Sequence, residues 1–145
     1  SYYENGEIEQ KFNYKNEKED GEWLTFFDDG QLKLKENYKE GILDGPYITY
    51  FSNGTIKEKF NFKNGKQEGE WLTFFDDGQL KLKENYKDGK LNGDWIWYYH
   101  TGQIRWSQKW KNGKKEGKRL SYVRNGDLRW EENYKDGELI ETKEY

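Results

Sequence analysis

Glycines spaced 24 residues apart constrain this chain more than any other feature. Gly6, Gly30, Gly54, Gly78, Gly102 and Gly126 form one series at that interval. Gly21, Gly45, Gly69, Gly93 and Gly117 form a second. Gly41, Gly65, Gly89, Gly113 and Gly137 form a third, with Glu17 in the place of its first member. A period of this length marks a repeat architecture, in which each unit buries its surface only against its neighbours. A longer echo overlies it: the stretch GEWLTFFDDGQLKLKENYK occurs at Gly21–Lys39 and again, unchanged, at Gly69–Lys87. The basic unit is nonetheless 24 residues. The chain holds about six copies and begins and ends part-way through one, so incomplete terminal hairpins are expected.

Each copy alternates turn signals with short runs of β-forming residues. In the second copy, Gly21–Phe27 reads as a strand rich in aromatic and β-branched side chains. Asp28-Asp29-Gly30 reads as a hairpin turn, Gln31–Lys39 as a second strand, and Glu40–Gly45 as a longer turn. Asn53-Gly54, Asn64-Gly65, Asn112-Gly113 and Asn125-Gly126 favour the positive φ of tight turns. The single proline, Pro46, falls at a strand start, where it is tolerated. No 3.6-residue apolar stripe persists, so no helix is expected. The fold class predicted is all-β: an elongated antiparallel sheet of about six successive hairpins, forming one domain over residues 1–145 and about 55 Å long.

Composition tests whether such a chain folds. Charged residues make up 37 % and hydrophobic ones 32 %, a balance that tends toward disorder. Aromatics at 19 % argue the other way, because each buries a large area. A thin, aromatic-rich core follows. The net charge of −3 lacks the basic excess of a nucleic-acid binder. No apolar run reaches the length of a membrane-spanning helix, and the absence of Cys removes disulfides and thiol nucleophiles.

Alternation within the strands sorts side chains into columns. Leu24, Phe26 and their equivalents, with Leu32, Tyr38 and theirs, are apolar in every copy and are expected on one buried face. Leu34/Glu36, Glu58/Phe60 and Leu82/Glu84 occupy two positions between the last two columns. Each copy places one large apolar and one polar residue there; the order swaps from copy to copy over the first four, and Trp106 and Trp130 break the alternation in the last two. Large side chains of adjacent hairpins would then interleave, which accounts for the 48-residue echo. The opposite face is expected to carry the column Trp23, Tyr47, Trp71, Trp95 and Arg119. The same face would carry Lys33 and its equivalents, and a lysine ladder of Lys15, Lys39, Lys63, Lys87, Lys111 and Lys135.

Catalysis finds little support. His100 replaces an ordinary turn residue, and the pairs Asp28-Asp29 and Asp76-Asp77 sit where Asp caps a hairpin turn. No phosphate-loop motif is present, and no cofactor or metal is expected. Departures from the repeat are better pointers. Trp97 stands where Thr25, Thr49 and Thr73 stand in other copies. Together with Trp95, Tyr99, Trp106 and Trp110 it forms the expected partner contact, since Trp and Tyr dominate interface hot spots. The ladder Lys39, Lys63, Lys87, Lys111 and Lys135 is the alternative surface, suited to anionic lipid, although Asp20, Asp44, Glu68 and Glu116 flank it. An open sheet also leaves edges available for self-association.

The unit reads Asn/Asp-Gly-x-Ile/Leu, then Tyr-Lys-Asn/Asp-Gly-Lys-x-x-Gly-x-Trp-x-x-Tyr/Phe, as in YKDGKLNGDWIWY from Tyr86 to Tyr98. This resembles the MORN repeat, in its bacterial variant form, over nearly the whole chain. Glu17, Arg119 and the tail Leu139–Tyr145 depart from it. The resemblance implies a sheet of consecutive hairpins serving as a protein-interaction scaffold, or one associated with membrane phospholipid. It further implies an antitoxin or immunity protein with a toxin as partner. A cytoplasmic member and an exported lipoprotein are both consistent with it.

Overall fold

In the computed structural model, which describes residues 1–145, the chain forms one 15-stranded antiparallel sheet and a small two-stranded sheet of Tyr14–Lys15 with Lys18–Glu19. From the edge strand Gln10–Lys11, the longer strands follow one another across the large sheet in chain order. They are Gly21–Phe26, Leu32–Lys39, Gly45–Tyr50, Ile56–Lys63, Gly69–Phe74, Leu80–Lys87, Gly93–Tyr98, Ile104–Lys111, Lys114–Tyr122, Leu128–Lys135 and Glu138–Glu144. There is no helix and the sheet does not close into a barrel. Only Phe60, Gln108, Glu131 and Tyr134 are buried. A single layer has no second layer to pack on, so each hairpin is held by its neighbours.

Two turn types alternate. At one end of the strands, Phe27 N donates to Gln31 O at 2.7 Å and Gly30 N to Phe27 O at 3.0 Å, closing a three-residue loop. Gly30 has φ +84, the left-handed conformation such a loop needs at its third residue. At the other end, the long turn expected over Glu40–Gly45 is shorter. Glu40 and Gly41 have φ of 52° and 83°, the positive pair of a two-residue type I′ turn. The following Ile42–Leu43 is a short strand paired with Tyr38 and Lys39.

These second turns are also clamps between copies. Gly65 N donates to Leu43 O at 2.8 Å, and Asn64 N to Asp44 Oδ2 at 3.0 Å. Asp88 N and Asp136 N likewise donate to Glu68 and Glu116 carboxylates, each at 3.0 Å. Asp44, Glu68 and Glu116, three of the four acids flanking the lysine ladder, therefore hold backbone donors of the next copy, satisfying groups that a tight turn leaves open.

Strand register overturns the expected division of faces. Trp23 lies opposite Glu36 and Thr25 opposite Leu34, so odd positions of a first strand share a face with even positions of the second. Trp23 and Tyr38, expected on opposite faces, pack with ring centres 5.4 Å apart. Leu24 lies opposite Lys35, on the other face. Register then shifts between Thr25 and Phe26, whose partner is Leu32, leaving Lys33 as the extra residue of a bulge. The physical reason is that alternation orders side chains within one strand, whereas turn length and bulge decide how two strands line up. Lys39 lies opposite Ile42, and by alternation it shares the face of Leu24 and Lys35 rather than that of Trp23. Lys33 does stay with the aromatic side, its Nζ 5.6 Å from the Phe27 ring centre.

Candidate functional site

Register links side chains into rows that cross the sheet at right angles to the strands. One row contains the facing pairs Trp23 with Glu36, Tyr47 with Phe60, Trp71 with Glu84, and Trp95 with Gln108. Gln108 then faces Arg119, and Arg119 faces Glu132. Beside it runs a second row on the same face, in which Leu82 faces Trp97 and Trp97 faces Trp106. A cross-strand pair of this kind places side chains about 5 Å apart, close enough for rings to touch.

The alternation of large and polar residues breaks the first row into ring stacks and carboxylate positions, rather than interleaving large side chains as expected. Phe60 is 7 % exposed because it is stacked on both sides, 4.5 Å from Tyr47 and 3.7 Å from Trp71 by ring centres. Where Phe60 sits in the third copy, the second and fourth hold Glu36 and Glu84. Each carboxylate thus lies level with an indole instead of a phenyl ring. Trp95 Nε1 donates to Glu84 Oε1 at 2.8 Å, and Tyr38 OH donates to Glu36 Oε1 at 3.4 Å. Thr49 Oγ1 donates to Glu58 Oε2 at 3.4 Å in the second row.

Burial among rings governs the electrostatics. Desolvation pushes Glu36 and Glu84 above the usual carboxylate range, against the opposing pull of their phenol and indole hydrogen bonds. Desolvation and then the Glu84 charge push Tyr86 up to about 12. Tyr47 and Tyr38 also rise, first through burial and then through Glu36.

Three of the five expected contact residues come together. Trp97 and Trp106 stack with planes 4° apart and centres 5.7 Å apart. Trp95 meets them edge-on at 6.2 and 4.6 Å. Tyr99 stands apart, near the hairpin loop, where its hydroxyl donates to Tyr122 O at 2.8 Å. Trp110 lies opposite Gly93, with its Nε1 buried and without a hydrogen-bond partner. Arg119, Glu36 and Glu84 belong to the aromatic rows but were not among the expected contact residues. The swap of apolar and polar residues between copies marks the two carboxylates in the sequence, where it reads as packing alone.

The fifth copy departs from its neighbours. Lys109 replaces the Asn whose Nδ2 elsewhere binds the next strand, as Asn85 Nδ2 binds Asp94 O at 3.0 Å. Register shifts between Gln108 and Lys109, and Gln108, 2 % exposed, donates through Nε2 to Lys109 O at 2.7 Å and Glu116 O at 3.4 Å.

The ladder Lys39, Lys63, Lys87, Lys111 and Lys135 is exposed along the edge of type I′ turns. Lys63 faces Lys66, Lys87 faces Lys90 and Lys111 faces Lys114, which doubles the charge over three copies. Lys135 faces Glu138 instead. At the turn loops, Asp29 Oδ1 and Asp77 Oδ1 accept from the backbone of Gln31 and Gln79 at 2.9 and 3.1 Å. His100 Nε2 lies 3.0 Å from Asp77 Oδ2, beside the Phe75 ring.

An open sheet of stacked hairpins, with aromatic rows uncovered on one face, defines a repeat protein that offers an extended surface. The particular family follows from the sequence: residues 1–16, 19–40, 43–64, 67–88 and 91–112 match the family described as MORN repeat variant, and the chain belongs to it. The match stops short of the sixth copy, which contains Arg119. MORN repeats commonly act as protein- or membrane-binding modules. No curated protein matches the chain.

Proposed function

We propose that the chain is a non-enzymatic module that docks a protein partner on its aromatic rows. One observation carries this reading. Trp95, Trp97 and Trp106 form a partly exposed cluster on a face without a second layer, with Arg119 against Trp106 and Lys81 over Trp97. Trp97 stands where three other copies have Thr, so the cluster is not a requirement of the repeat. Aromatic anchors set in a largely preformed surface are the usual centre of an interface. Within this reading the chain acts as an antitoxin or immunity protein of bacterial type, occluding a toxin surface without chemistry.

The test is affinity capture from the native source with the wild-type chain and with Trp97→Thr. Capture of one partner by the wild type, reduced about tenfold or more by Trp97→Thr, supports the reading. Equal capture by both removes the cluster from the interface. A captured toxin that is neutralised on co-expression supports the finer role.

A second reading is docking on an anionic membrane surface. At the clamp position held by Asp44, Glu68 and Glu116, the fourth copy has Asn92, whose Oδ1 accepts from Asn112 N at 3.2 Å. The cleft there is lined by Lys66, Lys87, Lys90, Asp88, Asn92 and Asn112. Salt-sensitive co-sedimentation with anionic but not neutral vesicles favours it, and no sedimentation dismisses it.

A further inference from the structure

Resting on the protein-docking reading, we propose that the row around Glu36 and Glu84 recognises arginine side chains of an extended basic partner segment, one guanidinium at each carboxylate.

The sixth copy contains the template. Arg119 occupies the column of Trp23 and Trp71, and Glu132 the column of Glu36 and Glu84. The Arg119 guanidinium carbon lies 4.7 Å from the Trp106 ring centre and 5.0 Å from that of Trp130. Its Nη1 is 3.3 Å from Glu132 Oε2, and Tyr134 OH donates to that same oxygen at 2.9 Å. The chain itself thus places a guanidinium between two indoles and on a carboxylate braced by a phenol.

The second and fourth copies keep the carboxylate and the phenol of this frame, with Trp23 or Trp71 in the place of Arg119 and Leu34 or Leu82 in the place of Trp130. Glu36 lies opposite Trp23, within hydrogen-bond distance of Tyr38. Glu84 lies opposite Trp71 and accepts from Trp95. Neither carboxylate has a Lys, Arg or His within ion-pair distance. The basic residues of this face are placed elsewhere: Lys33, Lys57 and Lys81 lie over the rings of Phe27, Phe51 and Phe75. Lys35 and Lys83 pair with Glu22 and Glu70 on the opposite face. The two carboxylates are half-buried among rings, and neither has a cationic partner.

Arginine suits such a place better than lysine. Its guanidinium is planar and weakly hydrated, stacks on aromatic faces and grips a carboxylate with two donors. Glu36 and Glu84 lie four strands apart, about 19 Å at ~4.8 Å per strand. An extended segment laid along the row covers that distance in about six residues, an even number that keeps both side chains on one side. Glu58, in the neighbouring row between Thr49 and Thr73, adds a third carboxylate midway.

The probe is a Gly/Ser peptide with two arginines about six positions apart, titrated against the chain by calorimetry and Trp fluorescence. The wild type is expected to bind it, and the Glu36→Gln/Glu84→Gln variant to bind about tenfold more weakly or worse. Gln108 already fills the same column, so this variant is expected to fold, and near-UV circular dichroism checks that it does. Glu132→Gln, whose site is already filled by Arg119, is expected to leave peptide affinity unchanged. A lysine-for-arginine peptide is expected to bind more weakly. No binding by the wild type, or equal binding by the double Gln variant, overturns the proposal. So does Trp quenching by a neutral oligosaccharide with none by the peptide. Retention of a Trp97-dependent partner by the double Gln variant overturns arginine recognition alone and leaves the docking reading standing.

Discussion

The indole Nε1 of Trp95 donates to Glu84 Oε1 at 2.8 Å, joining the fourth copy to the fifth. The bond is set in a half-buried place where desolvation still raises the carboxyl above its usual range. A carboxyl whose folded value exceeds its unfolded value contributes stability that is fully present below the unfolded value, about 4.3. That contribution is lost as pH rises through the folded value. Glu84→Gln keeps an acceptor for Trp95 and removes the charge. It is therefore expected to raise the melting temperature at pH 7, with the gain shrinking as pH falls toward 4. Thermal melts of both proteins across that range check it. A lower melting temperature for the variant at pH 7 would mean that the charge-assisted hydrogen bond outweighs desolvation.

Phe60→Ala is expected to be the costliest single truncation on the aromatic face. Phe60 is sandwiched between Tyr47 and Trp71, and the loss should be about 3 kcal/mol, the lower end for a buried Phe because a single layer admits water. Phe12 occupies the same column but is 42 % exposed, so Phe12→Ala should cost about 1 kcal/mol or less. Urea midpoints of the two variants test the contrast.

Arg119→Ala should cost about 1 kcal/mol, through loss of two ring contacts and one carboxylate contact. Arg119→Lys should recover only part of it, since an ammonium cannot stack on two indoles. A double-mutant cycle with Glu132→Gln is expected to give a coupling of about 0.5–1 kcal/mol. Zero coupling would mean that Arg119 acts through packing alone.

Two glycines of one column separate backbone strain from crowding. Gly69 has φ +83 and open space where a Cβ would stand, so Gly69→Ala should cost about 1–2 kcal/mol through the left-handed conformation alone. Gly45 has φ +117, and a Cβ there would lie 3.1 Å from Asn37 Cβ. Gly45→Ala should cost at least about 1 kcal/mol more than Gly69→Ala. Equal urea midpoints would show that the Asn37 side chain moves freely aside.

Much of the architecture was written in local chemistry. The 24-residue glycine series, the Asp-Gly and Asn-Gly turns and the lack of a helical stripe were enough to specify consecutive hairpins in one open sheet, because turn conformations depend on a few adjacent residues. The 48-residue echo showed in the sequence that Phe60 exchanges with Glu36 and Glu84, but not that Phe60 would stack level with Tyr47 and Trp71. Which side chains share a face was different. Trp23 and Tyr38 looked opposed and are in contact; Trp23 and Lys39 looked like neighbours and are on opposite sides. That outcome depends on how two strands align, and a three-residue loop plus one bulged lysine changes the parity between them. The meeting of Glu84 with Trp95, and of Arg119 with Trp106 and Trp130, likewise exists only after pairing across copies. Periodicity and turn chemistry act along the chain and are legible there; register acts between strands, and only the assembled sheet decides it.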